Sequence, residues 1–266
     1  MSIEVERQGS TLLITMNRPE SLNALDPAHL EALRESLCQF RDDGRLRVAV
    51  LTGTGRAFSV GADLKNVGPP KTSFAAGYFV CREESVAAGV HTRSLLISEL
   101  GLTKPLIAAV NGFALGGGCE IALSADLRVA GSDASFGLPE ARRASIPGLG
   151  GASRLLRAIP RAVAMKMILT GDRIGADEAL RYGLVSDVHE PGSLVEKAVE
   201  LARRVESNGP LAVQALKILS DRTEELSLSQ SIEIEQLWWG LLRDTGDRKE
   251  GRAAFADRRE PHYEGR

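Results

Sequence analysis

Continuous runs of apolar residues mark the buried strands of this chain. The clearest runs are Val48–Thr52 and Leu106–Val110, neither of which alternates with polar residues. Strands that are buried on both faces show such continuous runs, whereas a half-exposed strand alternates apolar and polar positions. The pattern therefore predicts a sheet covered on both faces. Four further strands are predicted at Ile3–Gln8, Thr11–Met16, Leu127–Ala130 and Leu184–Val188.

Helical spacing of apolar residues begins directly after Asp26-Pro27. Aspartate is a favoured N-cap residue and proline fits the first position of a helix. The apolar residues that follow at helical spacing are Leu30, Leu33, Leu37 and Phe40. The pattern predicts a helix from residue 27 to about residue 42.

The last third of the chain is almost entirely helical in pattern. It runs from Val195 to Arg259, with breaks at residues 207–210 and 244–246. Apolar strands separated by helices predict an α/β fold. We expect a core with the active site over residues 1–190 and a helical C-terminal region over residues 191–266.

Composition and charge exclude several classes of protein. The chain has 33 Lys and Arg against 35 Asp and Glu, for a net charge of −2, so neither nucleic acid nor an anionic membrane is an expected partner. Cys38, Cys81 and Cys119 are scattered and fit neither a disulfide framework nor paired metal ligands. The N-terminus lacks the features of a secretory signal, and the longest apolar stretch is shorter than the roughly 20 residues of a spanning helix. We expect a cytoplasmic protein that requires no metal.

Glycine is enriched and clustered, with 27 glycines among 266 residues against a usual share of about 7%. Three segments collect many of them: residues 53–64, 111–120 and 136–151. The first two directly follow the predicted strands Val48–Thr52 and Leu106–Val110. Glycines at such positions let the backbone turn sharply and approach a ligand closely.

The second segment predicts a helix start at Gly117 or Gly118, with Glu120 in the first turn. Free N–H groups at that start can bind an oxyanion, and the helix dipole favours the carboxylate there by about 0.3–1 kcal/mol. A carboxylate beside such N–H groups is a plausible general base. A tightly packed strand-to-helix turn without a catalytic role explains the same residues equally well. A nucleotide site is disfavoured, because the chain has no Gly-x-Gly-x-x-Gly and no Gly-Lys-Ser/Thr motif.

Long motifs in these segments resemble the enoyl-CoA hydratase/isomerase (crotonase) family. The residues 104–120, KPLIAAVNGFALGGGCE, resemble the family signature. The residues 57–64, AFSVGADL, resemble its upstream loop, and residues 136–151 resemble its second acidic segment. Shorter matches at residues 17–25, 169–174 and 247–251 extend the resemblance over nearly the whole chain in order.

The resemblance implies a fold, an assembly and a site. It implies an α/β crotonase-like spiral of ββα units, a helical C-terminal trimerisation region, and a homotrimer or dimer of trimers. It implies an acyl-CoA thioester substrate, so that coenzyme A belongs to the substrate and no separate cofactor is expected. The implied residues are Ala62 and Gly117 for the backbone oxyanion hole, Glu120 and Glu140 for catalysis, and Ala24, Ala62, Asp63, Leu64, Lys65 and Gly117 for contact with coenzyme A.

The presence of both glutamates favours an enoyl-CoA hydratase, which adds water to a trans-2-enoyl-CoA. By resemblance, Glu120 activates water and Glu140 protonates carbon, whereas the family's isomerases characteristically lack the acid that matches Glu120. The alternatives are an isomerase or another enolate-forming acyl-CoA enzyme of the family. A non-catalytic paralogue that binds acyl-CoA is the alternative from a different class.

Arg142 and Arg143 depart from the family pattern, in which mostly aliphatic residues follow the second glutamate. One interpretation places both side chains in solvent or in ion pairs at a subunit interface, because buried cations need partners. The other places one of them near the acyl pocket, where it would favour a polar or carboxylated acyl chain. The aromatic residues Phe74, Tyr78 and Phe79 fit either the wall of that pocket or ordinary helix packing.

Overall fold

The computed structural model describes residues 2–65 and 97–266, and ten strands lie in these two ranges. In chain order they are β1 (Ile3–Gln8), β2 (Thr11–Met16), β3 (Val48–Gly53), β4 (Ala57–Ser59), β5 (Leu106–Val110), β6 (Phe113–Leu115), β7 (Leu127–Gly131), β8 (Ser135–Gly137), β9 (Arg173–Gly175) and β10 (Asp187–His189). The predicted strands are confirmed with one shift. The last one begins at Asp187, three residues later than expected, because the N–H groups of Leu184 and Val185 donate to the Ala179 carbonyl oxygen rather than to a neighbouring strand.

Nine α-helices lie in the same ranges: α1 (Pro27–Asp42), α2 (Gly117–Leu123), α3 (Gly151–Ala158), α4 (Arg161–Thr170), α5 (Ala176–Arg181), α6 (Leu194–Glu206), α7 (Pro210–Thr223), α8 (Leu228–Arg243) and α9 (Gly246–Asp257). Short 3-10 helices span Pro19–Ser21, Ile97–Glu99, Pro139–Arg143 and Pro191–Ser193. The predicted start of α1 is confirmed, since the Asp26 carboxylate caps it by accepting a hydrogen bond from the His29 N–H at 2.8 Å.

The strands form two sheets, and from β3 to β8 successive strands alternate between them. The six-stranded sheet has the order β1-β2-β3-β5-β7-β10, and the four-stranded sheet has the order β4-β6-β8-β9. β1 and β2 form an antiparallel hairpin, and β2, β3, β5, β7 and β10 are parallel. In the smaller sheet β4, β6 and β8 are parallel and β9 is antiparallel. Each pair β3/β4, β5/β6 and β7/β8 therefore gives one strand to each sheet.

Both faces of the six-stranded sheet are covered, which explains why its strands lack polar alternation. In β3, Ala49 and Leu51 belong to the apolar cluster that includes α1. Val48 and Val50 belong to a second cluster on the opposite face, which is closed by α6. Burying an aliphatic side chain of this size contributes about 1.5–3 kcal/mol, so both faces of β3 stabilise the fold.

The C-terminal helices follow the predicted pattern with one additional break. Residues 224–227 separate α7 from α8, and Ser227 begins α8 with a reciprocal capping box to Gln230. A capping box supplies the N–H groups at a helix start with acceptors. The division of the chain at about residue 190 stays a prediction. Within the described ranges no helix is both long and apolar enough to cross a membrane.

The thiols of Cys38 and Cys119 are free. Cys119 lies in α2, where burial raises the pKa of its thiol to about 12. A thiol with so high a pKa stays protonated and unreactive at neutral pH. Cys81 lies outside the described residues.

Candidate active site

One edge of the four-stranded sheet brings together residues that are far apart in the sequence. The neighbouring strands β4, β6 and β8 run parallel, so their carboxyl ends share this edge. Directly beyond these ends lie Gly61-Ala62, Gly116-Gly117 and Leu138–Glu140. The topology therefore gathers one part of each of the three glycine-containing segments.

Two backbone segments meet very closely at this edge. A Cβ atom on Gly61 would lie 2.7 Å from the Gly117 nitrogen and 2.8 Å from the Leu115 carbonyl oxygen. Gly61 also has a φ of +83°, a region that favours glycine. A side chain at position 61 would thus push apart the turns that end in Ala62 and Gly117.

The N–H groups of Ala62 and Gly117 are free within the described residues. The backbone on either side of Ala62 is fixed, because the Leu25 N–H donates to the Gly61 oxygen at 2.8 Å and the Asp63 N–H donates to the Leu25 oxygen at 3.0 Å. A Cβ atom on Gly117 would lie 3.9 Å from the Ala62 nitrogen, so the two groups are neighbours. Two adjacent, preorganised N–H donors can stabilise an oxygen on which negative charge develops.

Helix α2 places Glu120 as the sequence predicts. The helix begins at Gly117, with Gly116 as its N-cap residue, and Glu120 lies in its first turn. The carboxylate is buried, and its Oε1 accepts hydrogen bonds from the Leu149 N–H at 2.6 Å and the Gly151 N–H at 2.8 Å. Sequence reasoning missed these two donors, although the glycine cluster at residues 148–151 was their signal.

Glu120 experiences opposing influences on its protonation. Burial raises the pKa of its carboxyl above the usual range. The backbone N–H groups of Gly151, Leu149 and Gly148 and the charge of Arg154 act in the opposite direction, since they stabilise the anion. Glu120 is therefore a carboxylate with enhanced basicity that remains supported by hydrogen bonds.

Glu140 lies in the 3-10 helix Pro139–Arg143 and is half-buried. Its Oε1 lies 3.0 Å from the place of a Cβ on Gly116, and its Oε2 is buried and has no hydrogen-bond partner among the described residues. Burial raises the pKa of Glu140, and the charge of Glu120 raises it further, while its own N–H and the charge of Arg143 oppose the shift. An unpartnered buried oxygen favours the neutral acid.

The two carboxyl groups titrate as a coupled pair, and their surroundings divide the roles. Glu120 has backbone donors for its carboxylate, whereas Oε2 of Glu140 has no donor in residues 2–65 and 97–266. The pair can therefore hold one carboxylate at Glu120 and one carboxylic acid at Glu140. This is the combination that a reaction with one proton acceptor and one proton donor needs.

The residues predicted to contact coenzyme A lie along the loop after β4 and on the turn before α1. Leu64 and Lys65 are exposed, whereas Ala24 and Asp63 are buried. Arg18, which sequence reasoning missed, donates to the Ala24 carbonyl oxygen at 3.2 Å and lies 3.7 Å from Asp63. Arg18 thereby ties the turn to the loop, and contact with coenzyme A stays a prediction.

Arg142 and Arg143 have different surroundings. Arg142 donates to the Thr170 carbonyl oxygen at 2.8 Å and to the Asp172 carboxylate at 2.7 Å. It lines a cavity of about 660 Å³ between the 3-10 helix Pro139–Arg143 and α4. Arg143 is exposed, and it makes no hydrogen bond or ion pair with a described residue.

Two other predictions concern the aromatic residues of the acyl pocket and metal binding. Phe74, Tyr78 and Phe79 lie outside them. In residues 2–65 and 97–266, no group of three or more His, Cys, Asp or Glu side chains is arranged to hold a metal ion.

Comparison with known proteins gives matches over the whole chain. The family model for enoyl-CoA hydratase/isomerase matches residues 6–266. The chain is 45% identical over 266 residues to (E)-benzylidenesuccinyl-CoA hydratase of Thauera aromatica, with all of both chains covered. It is 41% identical over 264 residues to 2,3-dehydroadipyl-CoA hydratase of Escherichia coli K12, with 98% of each covered.

Solved structures match equally completely. The crystal structure of an enoyl-CoA hydratase from Bacillus anthracis has a TM-score of 0.88 at 38% identity, with all of both chains covered. The crotonase-like α/β fold that the sequence resemblance implies is thereby confirmed. Trimerisation stays a prediction.

Proposed function

The chain belongs to the enoyl-CoA hydratase/isomerase family, and from that premise we propose that it adds water to the double bond of a trans-2-enoyl-CoA thioester. The observation that carries the proposal is the pair Glu120 and Glu140, which the fold brings to one edge of the four-stranded sheet. Hydration needs a proton acceptor for water and a proton donor for carbon, and the pair can supply both.

The first part of the mechanism is polarisation of the thioester. Addition of water at the β carbon moves negative charge onto the thioester oxygen. The N–H groups of Ala62 and Gly117, adjacent and free within the described residues, support a role as the donors that stabilise this enolate. Loss of one such donor typically costs about 2.7–4 kcal/mol of transition-state stabilisation.

The second part is the movement of two protons. Glu120 takes a proton from water while the water oxygen bonds to the β carbon, and the electron pair of the double bond moves onto the enolate. Glu140 then gives its proton to the α carbon, and the enolate returns to a thioester. Net addition of one water leaves Glu120 protonated and Glu140 ionised, and solvent restores both. The hydrogen bonds to Glu120 and the unpartnered oxygen of Glu140 support this assignment.

The acyl group of the substrate is proposed to be more polar than that of a simple fatty acid. The two relatives described above are named for benzylidenesuccinyl-CoA and 2,3-dehydroadipyl-CoA. Succinyl and adipyl groups both derive from dicarboxylic acids. Coenzyme A itself would lie along Ala24, Asp63, Leu64 and Lys65, as part of the substrate rather than as a separate cofactor.

A trimer, alone or stacked in pairs, is the proposed assembly. Several large apolar side chains of the C-terminal helices are exposed in the single chain. They are Leu228, Ile232, Leu237, Trp239, Leu241 and Phe255. Exposed apolar surface of this extent supports contact with another subunit.

The test uses product analysis rather than loss of substrate. The protein is incubated in deuterium oxide with a panel of trans-2-enoyl-CoA thioesters, and the products are analysed by mass spectrometry. We expect a 3-hydroxyacyl-CoA with deuterium at the α carbon, and strong loss of turnover in E120Q and in E140Q separately. Deuterium at the α carbon without added water would identify an isomerase, and tight binding without any turnover would identify a non-catalytic paralogue.

A further inference from the structure

We propose that Arg143 binds a second carboxylate on the acyl group, so that the protein selects 2-enoyl-CoA thioesters that carry one. This inference rests on the proposed function and names the residue that would set its substrate class.

The 3-10 helix Pro139–Arg143 places Arg143 on the same side as Glu140. A 3-10 helix has three residues per turn, so side chains three positions apart are eclipsed. Glu140 and Arg143 are such a pair, whereas Arg142 is rotated by about a third of a turn. The charge of Arg143 accordingly acts on the carboxyl group of Glu140. The side that presents the proposed proton donor thus also presents a cation.

The two arginines differ in whether their guanidinium groups are already bound. Arg142 is bound to the Thr170 carbonyl and the Asp172 carboxylate, on the side of the helix that faces α4. Arg143 is exposed and has no ion pair or hydrogen bond with a described residue. Glu140 does not neutralise it, because the proposed mechanism keeps Glu140 protonated before the reaction. As far as residues 2–65 and 97–266 are concerned, the positive charge of Arg143 therefore remains available to a ligand.

A carboxylate fits the chemistry of the Arg143 guanidinium group, which has no partner in the described part of the chain. Arginine binds carboxylates through two parallel N–H donors, which adds orientation to attraction. An aliphatic acyl chain would leave the cation without a partner beside Glu140. A second carboxylate on the chain would satisfy it and position the double bond against both glutamates.

The experiment measures binding of unreactive thioesters, so that it does not depend on catalysis. Adipyl-CoA and hexanoyl-CoA have acyl chains of equal length, and only the first has a terminal carboxylate. Their dissociation constants are measured by calorimetry for the wild-type protein, R143Q, R143K and the matched control R142Q. We expect R143Q to weaken binding of adipyl-CoA about 10- to 150-fold, the range of one hydrogen-bonded charge pair. Hexanoyl-CoA should change by less than about threefold, and R143K should be intermediate because lysine cannot bind in the bidentate mode.

The outcomes separate this inference from the proposed function. Equal losses for both thioesters in R143Q would overturn it, since Arg143 would then act on coenzyme A or on Glu140 alone. The inference also fails if R142Q shows the same selective loss, or if the wild-type protein binds hexanoyl-CoA as tightly as adipyl-CoA. Failure to hydrate any unsaturated thioester, combined with selective loss in R143Q, would refute the hydratase and retain the carboxylate site.

Discussion

Substitution of Gly151 by alanine tests the packing behind the candidate base. Gly151 begins α3 and is buried, and its N–H donates to Glu120. A Cβ atom there would lie 2.6 Å from Cγ and 3.0 Å from Oε1 of Glu120, and 3.1 Å from Cδ2 of Leu138. We expect the added methyl group to displace the carboxylate and to lower both stability and activity.

Two effects of opposite sign compete at this position. Alanine is a better helix former than glycine by about 0.5–1 kcal/mol, and the φ of Gly151 is not in the positive region. Overpacking of a buried site costs about 1–3 kcal/mol. The contact at 2.6 Å is closer than real Cβ atoms approach, so overpacking should prevail. A shift of the carboxylate by about 1 Å can reduce turnover about 100-fold.

Gly240→Ala is the matched control. Gly240 lies inside α8, and a Cβ atom there would meet nothing within 4 Å. We expect it to stabilise the protein by about 0.5–1 kcal/mol through helix propensity and to leave turnover unchanged. The same chemical change should thus have opposite effects at the two positions.

A double-mutant cycle with Glu120→Ala tests whether contact with Glu120 causes the loss of stability in Gly151→Ala. Urea unfolding gives the free energy of unfolding for the wild-type protein, both single variants and the double variant. Because Glu120→Ala removes the two closest atoms that the new methyl group would meet, the cost of Gly151→Ala should fall by about 0.5–3 kcal/mol in that background. An equal cost in both backgrounds would refute the reasoning.

Three further predictions concern buried groups. Burial lowers the pKa of His29 from 6.5 to about 4. As the pH falls from 6.5 to about 4, the free energy of unfolding of the wild-type protein should therefore fall by at most about 3 kcal/mol relative to that of His29→Leu. Urea unfolding that shows the same acid sensitivity for both proteins would contradict this. Because the pKa of Glu140 is raised in the fold, its contribution to stability is present below about pH 4 and lost as the pH rises through the folded value. Glu140→Gln should therefore increase the free energy of unfolding more at about pH 8 than at about pH 4, and an equal change at both would refute the sign. Gly118→Ala should cost about 3 kcal/mol or more, because its Cβ would overlap the Ser59 carbonyl oxygen, and a melting temperature within a few degrees of wild type would contradict the clash.

Local patterns were sufficient for the main strands and for the first helix. The apolar runs of β3 and β5 and the Asp26-Pro27 helix start are signals carried by neighbouring residues, and the structure confirms them. The shifted start of β10 follows from hydrogen bonds of Leu184 and Val185 to Ala179, which an apolar run does not reveal. The break before α8 had a local signal, the capping-box pattern of Ser227 and Gln230, which sequence reasoning missed.

The sequence predicted Glu120 and Glu140 as site residues, which stays a prediction, but it did not predict the groups that contact them. Family-like motifs identified Glu120 and Glu140, and the strand order shows why they share one edge. The glycine cluster at residues 148–151 is visible in the sequence, but its pairing with Glu120, 29 and 31 residues away, and that of Arg18 with Asp63 follow from no local pattern. Arg142 and Arg143 are adjacent in sequence, but the turn of the 3-10 helix directs Arg142 to Thr170 and Asp172 and leaves Arg143 without a partner among the described residues.

The alternation of strands between two sheets bears on how such a protein can change during evolution. Strands β4, β6 and β8 end at the candidate site and contribute to one apolar cluster, whereas β3, β5 and β7 belong to the larger sheet and contribute to both clusters. Each repeat thus contains one strand under selection for folding and one whose end is under selection for chemistry. Mutations at the positions that follow β4, β6 and β8 can alter which ligand binds, while the sequence of the larger sheet stays the same. Gly61, Gly116 and Gly118 are the exceptions, because there the two kinds of selection act on a single backbone position.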